Sequence, residues 1–426
     1  MSRFRYAALV VLLMIAAPIP SKAQQTSTPT PAPQVSSAAQ LPDAPHDDAP
    51  IEWWYANARV TTIDGRHLAI VCAFFKFGVD PSISAMGLPS IPPAHYLIYG
   101  VTDLGRNTHH AYSYADSHMV DGLKTMLLMG GGGDRAASML RTLLKGKMPE
   151  PHQLMTGPVG IDPSPLDVHY GDDGSLAAVD GSPNTYHLKL GTGKAAVDLT
   201  LASAKPVMKV NGNGETGLVK PTDMYYYSLP GCNVTGTVDG AVASGQGWID
   251  HQWGSSWTTQ KAGWDWWGAQ LDDGIDILFF QQRDLATGKT FFPLATFMDK
   301  YGVTTVTHNV LFHAVPGSAW RSPRSHAWYP LAWDVDFPDE NLSLRITADV
   351  DDQEMPILSP GGDIWEGSCT VIGLSSMGSD HHLDPFTASP ARIRRFGGSL
   401  VRGTAYMELV GYGRPLPPNP ARKQVR

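Results

Sequence analysis

Cysteine is scarce in this 426-residue chain: Cys72, Cys232 and Cys369 are too few to form the disulfide framework of a small secreted domain. Long hydrophobic runs are also missing, because the apolar run from Ala7 to Ala17 is too short to span a bilayer and no later segment approaches that length. Basic residues do not dominate: 32 Lys and Arg stand against 40 Asp and Glu, for a net charge of −8. The composition therefore argues against a disulfide-stapled module, a helical membrane protein and a nucleic-acid-binding protein.

Motifs of several common enzyme classes are missing too. The chain has no G-x-S-x-G elbow, no P-loop, no H-E-x-x-H and no G-x-G-x-x-G after a predicted strand. The adjacent pairs His109-His110 and His381-His382 lie in polar segments and are weak metal candidates. We therefore expect no cofactor and no metal.

The N-terminus, residues 1–23, has the order of a secretory signal peptide. Two arginines precede the short apolar run, and SKA at 21–23 offers a small-x-small cleavage site. Residues 24–47 form a Pro/Ser/Thr/Ala-rich linker that cannot bury a core, and residues 414–426 form a tail. We expect cleavage near Ala23 and an exported protein, periplasmic or secreted; an uncleaved anchor is the alternative.

Two stretches of the chain match each other. Residues 52–75 (EWWYANARVTTIDGRHLAIVCAFF) and 265–280 (DWWGAQLDDGIDILFF) each begin with acid-Trp-Trp, pass through an Asp-Gly turn and end on Phe-Phe. An Asp-Gly turn between strand-like runs predicts a β-hairpin. The closing blocks also match, CNVTG with CTVIG and GQGWIDH with GTAYMEL. Four matches in one order predict an all-β fold with two related domains, barrels or sandwiches, over 48–257 and 258–413.

One segment inside the first half has helical period. From 134 to 147, apolar residues fall at i, i+3, i+4, i+7 and i+8, and the opposite face is basic. A short helix packed across a barrel mouth is the simplest interpretation. A mobile lid hinged on the preceding glycines, or a helix in contact with a membrane, is the alternative.

The segment GQGWIDHQWGSSW, residues 245–257, places Asp250 beside His251. Neighbouring residues of a strand point to opposite sides of the sheet, so one of these two side chains is directed to an interior. There it needs a hydrogen-bonding partner or a catalytic role. In the repeat, Asp250 matches Glu408, so this acid is either architectural or catalytic. His251 matches Leu409, an asymmetry that fold maintenance does not require. His251 is therefore our first candidate for a functional residue.

Six tryptophans surround this pair, at positions 248, 253, 257, 264, 266 and 267. They cannot all face one core, because a strand alternates, and the surplus indicates an apolar cavity or a contact between domains. Burial in such a wall raises the pKa of a carboxylic acid and makes it a usable proton donor near neutral pH. A neighbouring histidine, or a second acid such as Asp265, would then orient water.

A series of blocks along the chain resembles one family. EWWY, YYYSLPGCNVTG, GWIDHQWGSSW, GWDWWGAQLDDG, WRSP, YPLAW, DQE, IWEG and GTAYMELVGY occur in this order over about 50–413. Together they resemble the secreted AttH-type, carotenoid 1,2-hydratase-like family. The resemblance implies two lipocalin-like β domains with a ligand site near their junction. It also implies, among the family's activities, the addition of water to an isoprenoid double bond.

The hydratases of that family use an acid with a histidine and a tryptophan nearby. By this resemblance, His251-x-Trp253 forms the pair, and either Asp250 or Asp265 is the acid. The candidate ligand-binding residues are Trp253, Trp257, Trp264, Trp266, Glu52, Trp53 and Tyr226.

Two functions of different classes follow. One is a cofactor-free hydratase or isomerase-type enzyme that protonates an alkene in a hydrophobic substrate; the other is a non-catalytic carrier of an apolar molecule. A buried acid within reach of His251 and an open cavity would favour the enzyme. A cavity lined only by apolar groups, with Asp250 paired to an arginine, would favour the carrier. If His251 is catalytic, leucine at this position should preserve the fold and abolish activity. Neither the substrate nor the oligomeric state has a signal in the sequence.

Overall fold

The computed structural model describes residues 44–78, 92–129, 133–191, 196–255, 262–359, 363–376 and 398–412. The predicted signal peptide, most of the predicted linker, Trp257 and the predicted tail lie outside these ranges. Within them, strands dominate and the fold is all-β, as the repeated hairpins predict.

The first half of the chain forms one 13-stranded sheet, whose main path runs β5-β4-β3-β2-β1-β13-β12-β10-β9-β8-β7-β6. Its strands are β1 (Ile51–Thr62), β2 (His67–Phe77), β3 (Ala94–Asp103), β4 (Thr108–Ala115), β5 (Gln153–Leu154), β6 (Val159–Pro163), β7 (Leu166–Tyr170), β8 (Gly174–Ala178), β9 (Thr185–Leu190), β10 (Val197–Ser203), β11 (Met208–Lys209), β12 (Met224–Val238) and β13 (Ala241–Gly254). Neighbouring strands are antiparallel except β4 and β5.

The second half forms a 10-stranded sheet and a separate two-stranded hairpin of β19 and β20. Its strands are β14 (Ala262–Leu271), β15 (Asp276–Asp284), β16 (Thr290–Met298), β17 (Thr304–Thr307), β18 (Leu311–Ala314), β19 (Ala319–Arg321), β20 (Trp328–Pro330), β21 (Ala332–Phe337), β22 (Leu342–Ala348), β23 (Glu354–Pro356), β24 (Asp363–Ser376) and β25 (Gly398–Val410). The main path of the sheet runs β17-β16-β15-β14-β25-β24-β22-β21-β18.

Each sheet wraps around an apolar core of its own, and a third core lies between the two sheets. Trp54 and Phe74 belong to the first core, and Trp267 to the second. Tyr55 and Trp266 belong to the core between the sheets. β1, β2 and β13 are therefore buried on both faces, which explains why β2 is a nearly continuous apolar run instead of an alternating one.

The two sheets share the arrangement of their first hairpin and last strand. β1 lies between β2 and β13, and β14 lies between β15 and β25. Against the closing strand, however, Glu52 is opposite Trp253 whereas Asp265 is opposite Leu409. The matching blocks thus share an order but differ by two residues in register. The sequence match of His251 with Leu409 consequently does not extend to their cross-strand neighbours.

Two helices, not one, follow β4. The predicted helix is α2 (Gly133–Leu144), and a second helix, α1 (Ser117–Leu128), precedes it. Only one of the two helices was predicted, because the apolar residues of α1 are spread around the helix whereas those of α2 fall on one face. Neither described helix is long and apolar enough to cross a membrane. Contact of α2 with a membrane surface stays a prediction.

Candidate active site

A cavity of about 100 Å³ lies between the two sheets, where β1 and β13 face β14, β24 and β25. The alternation of these strands sends one set of side chains into each sheet and the other set into this space. Seven aromatic residues line it: Trp53, Tyr55, Phe75, Tyr226, Trp264, Trp266 and Phe280. Three carboxyl groups also face the cavity, those of Asp250, Glu366 and Glu408.

Asp250 reaches the cavity from β13 and is 2% exposed. Its carboxyl accepts hydrogen bonds from Ser228 Oγ at 2.5 Å, Trp248 Nε1 at 2.6 Å and the Tyr226 hydroxyl at 2.8 Å. Ser228 lies directly opposite Asp250 on β12, just before a bulge in that strand. Burial raises the pKa of Asp250 to about 7, because the loss of hydration outweighs the three bonds. This carboxyl can therefore exchange a proton near neutral pH.

Glu366 and Glu408 face each other across β24 and β25. The Tyr55 hydroxyl donates to Glu366 Oε1 at 2.7 Å, and Trp264 Nε1 donates to Glu408 Oε1 at 3.0 Å. The two carboxyls also hydrogen-bond to each other, which requires that one of them is protonated. Burial raises the pKa of both groups, and the charge of Glu408 raises that of Glu366 further. The pair therefore shares a proton at neutral pH.

No basic side chain offsets these three acids within the cavity. The lining residues, all of them in the described ranges, include no lysine, arginine or histidine. The charge of Asp250 adds to the raised pKa of both glutamic acids. An acid kept protonated by burial and by like charge, beside a second group able to accept a proton, is the usual arrangement for general acid-base catalysis.

Four of the predicted ligand-binding residues line this cavity: Trp53, Tyr226, Trp264 and Trp266. Trp253 and Glu52 do not, because they lie on the other faces of β13 and β1.

His251 points away from Asp250, into the interior of the first sheet. It is 1% exposed and stacks on Trp54, with 4.9 Å between the ring centroids. Its Nε2 lies 2.9 Å from Glu52 Oε1, and its Nδ1 lies 3.1 Å from the Tyr227 hydroxyl. The predicted Asp-His pair is thus divided between two environments by the alternation of one strand.

Glu52 is the centre of this interior cluster. Its carboxylate contacts His46 Nδ1 at 2.8 Å and Lys76 Nζ at 3.0 Å, in addition to His251. Burial by itself would raise the pKa of Glu52, but the bonds from both histidines and the charge of Lys76 outweigh it and hold the pKa well below its usual range. The ring of His46 stacks on Trp253 at 3.8 Å. Glu52 is therefore ionised at neutral pH and has bound partners.

Asp265 lies inside the second sheet and does not reach the cavity. It accepts hydrogen bonds from the Tyr412 hydroxyl at 2.8 Å and Gln281 Nε2 at 3.0 Å, and Arg283 lies 3.5 Å away. Burial raises the pKa of Asp265, while the charge of Arg283 opposes the shift. The structure therefore places the three predicted catalytic residues, Asp250, His251 and Asp265, in three separate environments.

The carboxyl pair was not predicted from the sequence, except that Glu408 was matched to Asp250. A signal was present, because Glu366 in IWEGSCTV and Glu408 in TAYMELV each interrupt an apolar strand. An acid inside an apolar strand is buried and needs a partner. The two acids face each other because β24 pairs with β25, and a long segment separates these strands in the sequence. The periodicity of a single strand does not predict such a pairing.

Two wrapped antiparallel sheets, docked over a cavity with acidic groups, define this chain as a tandem lipocalin-like protein. The AttH-like family model matches residues 151–412, more than half of the chain, and the chain belongs to this family.

Two solved structures share the fold. An AttH from Nitrosomonas europaea is 24% identical with a TM-score of 0.61, over 89% of this chain and 99% of that one. Kievitone hydratase from Nectria haematococca is 16% identical with a TM-score of 0.57, over 87% and 91%. By sequence, dehydratase asqC of Emericella nidulans is 26% identical over 170 residues, 37% of this chain and 47% of that protein. The chain thus matches about half the length of this relative.

Proposed function

We propose that this protein adds water to, or removes water from, an apolar substrate by acid catalysis in the cavity between the sheets. The observation that carries the proposal is the set of three buried carboxyls that face an aromatic wall without a basic partner. A hydratase and a dehydratase among the similar proteins support the reaction class, since the two names describe one reaction in its two directions.

In the direction of hydration, the O–H bond of the protonated glutamic acid breaks, and its proton forms a C–H bond with one alkene carbon. The other alkene carbon becomes a cation, which the neighbouring carboxylates and indole faces stabilise. Water then forms a C–O bond to that carbon, and its surplus proton passes to Asp250. Return of this proton to the glutamate pair restores the enzyme, so alkene and water give alcohol. Dehydration is the reverse sequence.

The environments of the acids assign their roles. Glu366 is the proton donor, because burial and the adjacent Glu408 both favour its protonated form. Asp250 is the group that accepts the proton from water, because three hydrogen-bond donors favour its ionised form. Its pKa of about 7 lets it take up and release that proton near neutrality.

The lining also favours the enzyme over the carrier. A carrier was expected to have a purely apolar lining and an arginine on Asp250. Asp250 instead bonds to a hydroxyl, a phenol and an indole, all of them neutral. A carboxylate or phosphate on the substrate would meet three acids and no cation. The substrate is therefore neutral and apolar at its reacting end.

Export is a second part of the proposal, supported by the order of charged start, apolar run and SKA site within residues 1–23. N-terminal sequencing of the exported protein should show a start near residue 24. A start at Met1 would contradict cleavage.

The reaction is tested with the mature chain and a panel of neutral, apolar alkenes and tertiary alcohols in water enriched in oxygen-18. Hydration should give products heavier than the alkene by one molecule of labelled water, measured by mass spectrometry. Asp250→Asn should lose this product, whereas Asp167→Asn, which changes a surface acid 45% exposed, should retain it. Product formation that survives in Asp250→Asn would overturn the assignment of the cavity. Saturable binding without labelled product across the panel would support the carrier instead.

A further inference from the structure

We propose that His46, Glu52 and His251 form a binding site for a divalent transition-metal ion of the zinc type. His46 Nδ1, Glu52 Oε1 and His251 Nε2 all lie within 4.8 Å of one another, at the interior end of β1 and β13. Two imidazoles and one carboxylate are a common ligand set for zinc. The site is separate from the cavity between the sheets, and it is independent of the proposed reaction.

The distances within the cluster suit an ion with little rearrangement. Both imidazole nitrogens converge on Glu52 Oε1, at 2.8 Å from His46 Nδ1 and 2.9 Å from His251 Nε2. Ligand atoms around a tetrahedral zinc, each about 2.0–2.2 Å from the metal, are about 3.3 Å apart. The nitrogen-to-oxygen distances therefore need to grow by only about half an ångström.

The surroundings already orient the three side chains. The Tyr227 hydroxyl lies 3.1 Å from His251 Nδ1 and can accept a hydrogen bond from Nδ1–H, which leaves the Nε2 lone pair for a metal. The His46 ring stacks on the Trp253 ring, with 3.8 Å between the ring centroids. A partner for the second ring nitrogen, as on His251, is typical of histidines that bind metals.

Lys76 weakens the site without blocking it. Its Nζ bonds Glu52 Oε2 at 3.0 Å, as does the His46 amide at 2.9 Å, while Oε1 faces the histidines. Coordination through Oε1 alone leaves Lys76 in place, but its positive charge opposes a second cation nearby. The His46 side chain is 21% exposed, so the cluster borders the surface at this residue.

The test is calorimetric titration of the full, tag-free, metal-stripped chain with Zn²⁺, accompanied by Co²⁺ absorption spectra. We expect one ion per chain and a cobalt spectrum with nitrogen ligation. His46→Ala and Glu52→Gln should each weaken binding by more than about 100-fold, beyond the effect of losing an outer-shell partner. His169→Ala is the matched control, because Asp162, Asp167 and His169 form the other group of this kind among the described residues, at the surface.

Lys76→Gln separates a metal site from a purely structural hydrogen-bond cluster. It keeps a donor to Glu52 but removes the charge, so zinc affinity should rise by about tenfold or more. A structural cluster would lose stability and show no gain in affinity. The proposal is overturned by absent zinc binding, by binding that His46→Ala and Glu52→Gln leave intact, or by binding lost in His169→Ala. Because His46 is partly exposed and outside the sheet, its variant decides the matter if Glu52→Gln does not fold.

Discussion

Asp250 and His251 are neighbours on β13, yet they belong to two regions with opposite electrostatics. On the cavity side, Asp250 and the two glutamic acids meet only neutral donors and one another, and burial raises their pKa values. On the interior side, Glu52 meets two histidines and Lys76, and its pKa is lowered. All four acids are buried, so burial alone does not decide the outcome. The charge of the neighbouring groups decides the direction of the pKa shift. It favours protonated acids on the cavity side and an ionised carboxylate on the interior side.

The second sheet repeats the interior arrangement with other residues. Asp265 occupies the start of its hairpin as Glu52 does, but it has Arg283 and Gln281 in place of histidines. An acid at this position is thus shared by both sheets, and its partners differ. The histidines are the specific feature of the first sheet, which is why the metal proposal applies to it alone.

The largest effect is expected on the cavity side. Glu366→Gln removes the shared proton while it keeps a hydrogen bond to Tyr55, so turnover of the labelled-water reaction should fall by about 10²–10⁴-fold, the usual contribution of one general acid. The melting temperature should not fall, because a neutral amide replaces a buried acid. Turnover within a few-fold of the wild type would remove Glu366 from the mechanism.

On the interior side, Glu52→Ala should act on stability instead. It leaves Lys76 and His251 buried without their anion, which should lower the free energy of unfolding by about 3–5 kcal/mol. Urea denaturation measures this change, with Asp167→Asn at the surface as the control, expected within about 0.5 kcal/mol of the wild type. A loss below about 1 kcal/mol would show that the cluster is not a tight ion pair.

The pH dependence of stability should separate the two regions. The folded pKa of Asp250, about 7, lies above its ordinary value of 3.8, so its stabilising contribution is fully present below about pH 4 and is lost as the pH rises through 7. Asp250→Asn mimics the protonated acid at every pH. The wild type should therefore become less stable relative to this variant by roughly 4 kcal/mol between pH 4 and 8.

Denaturation of both proteins across this range gives the measurement, and a constant difference would contradict the raised pKa. Glu52 should show the opposite dependence: its folded pKa is lowered, so its contribution is present above about pH 4.5 and is lost as the pH falls below that value.

The smallest effect concerns His251→Leu. Because Glu52 keeps His46 and Lys76, we expect a loss of about 1–2 kcal/mol in stability and turnover close to that of the wild type. This expectation replaces the sequence-based one of an intact fold without activity, since His251 does not reach the cavity. A well-folded variant with about 100-fold lower turnover would restore a catalytic role for His251.

The sequence predicted those features that depend on local pattern. Asp-Gly turns and alternation predicted the hairpins, and the surplus of tryptophans predicted a cavity. Helix α1 was not predicted because its apolar residues do not form one distinct face. The pairing of Glu366 with Glu408 escaped because it depends on register between strands separated by a long segment.

The residues alone were enough for an all-β chain, the place of Asp250 and His251 on opposite faces of one strand, and membership of a family recognised by ordered blocks. Each of these follows from the periodicity of apolar residues, from turn-forming residues or from residue identity. All three are local properties of the sequence. Only the tertiary structure decided which face meets a cation. The docking of two sheets places Asp250 against two glutamic acids from the second sheet, while the curling of the first places His251 against Glu52 and Lys76. The pKa of an acid depends on groups distant in sequence, because solvation and charge act through space.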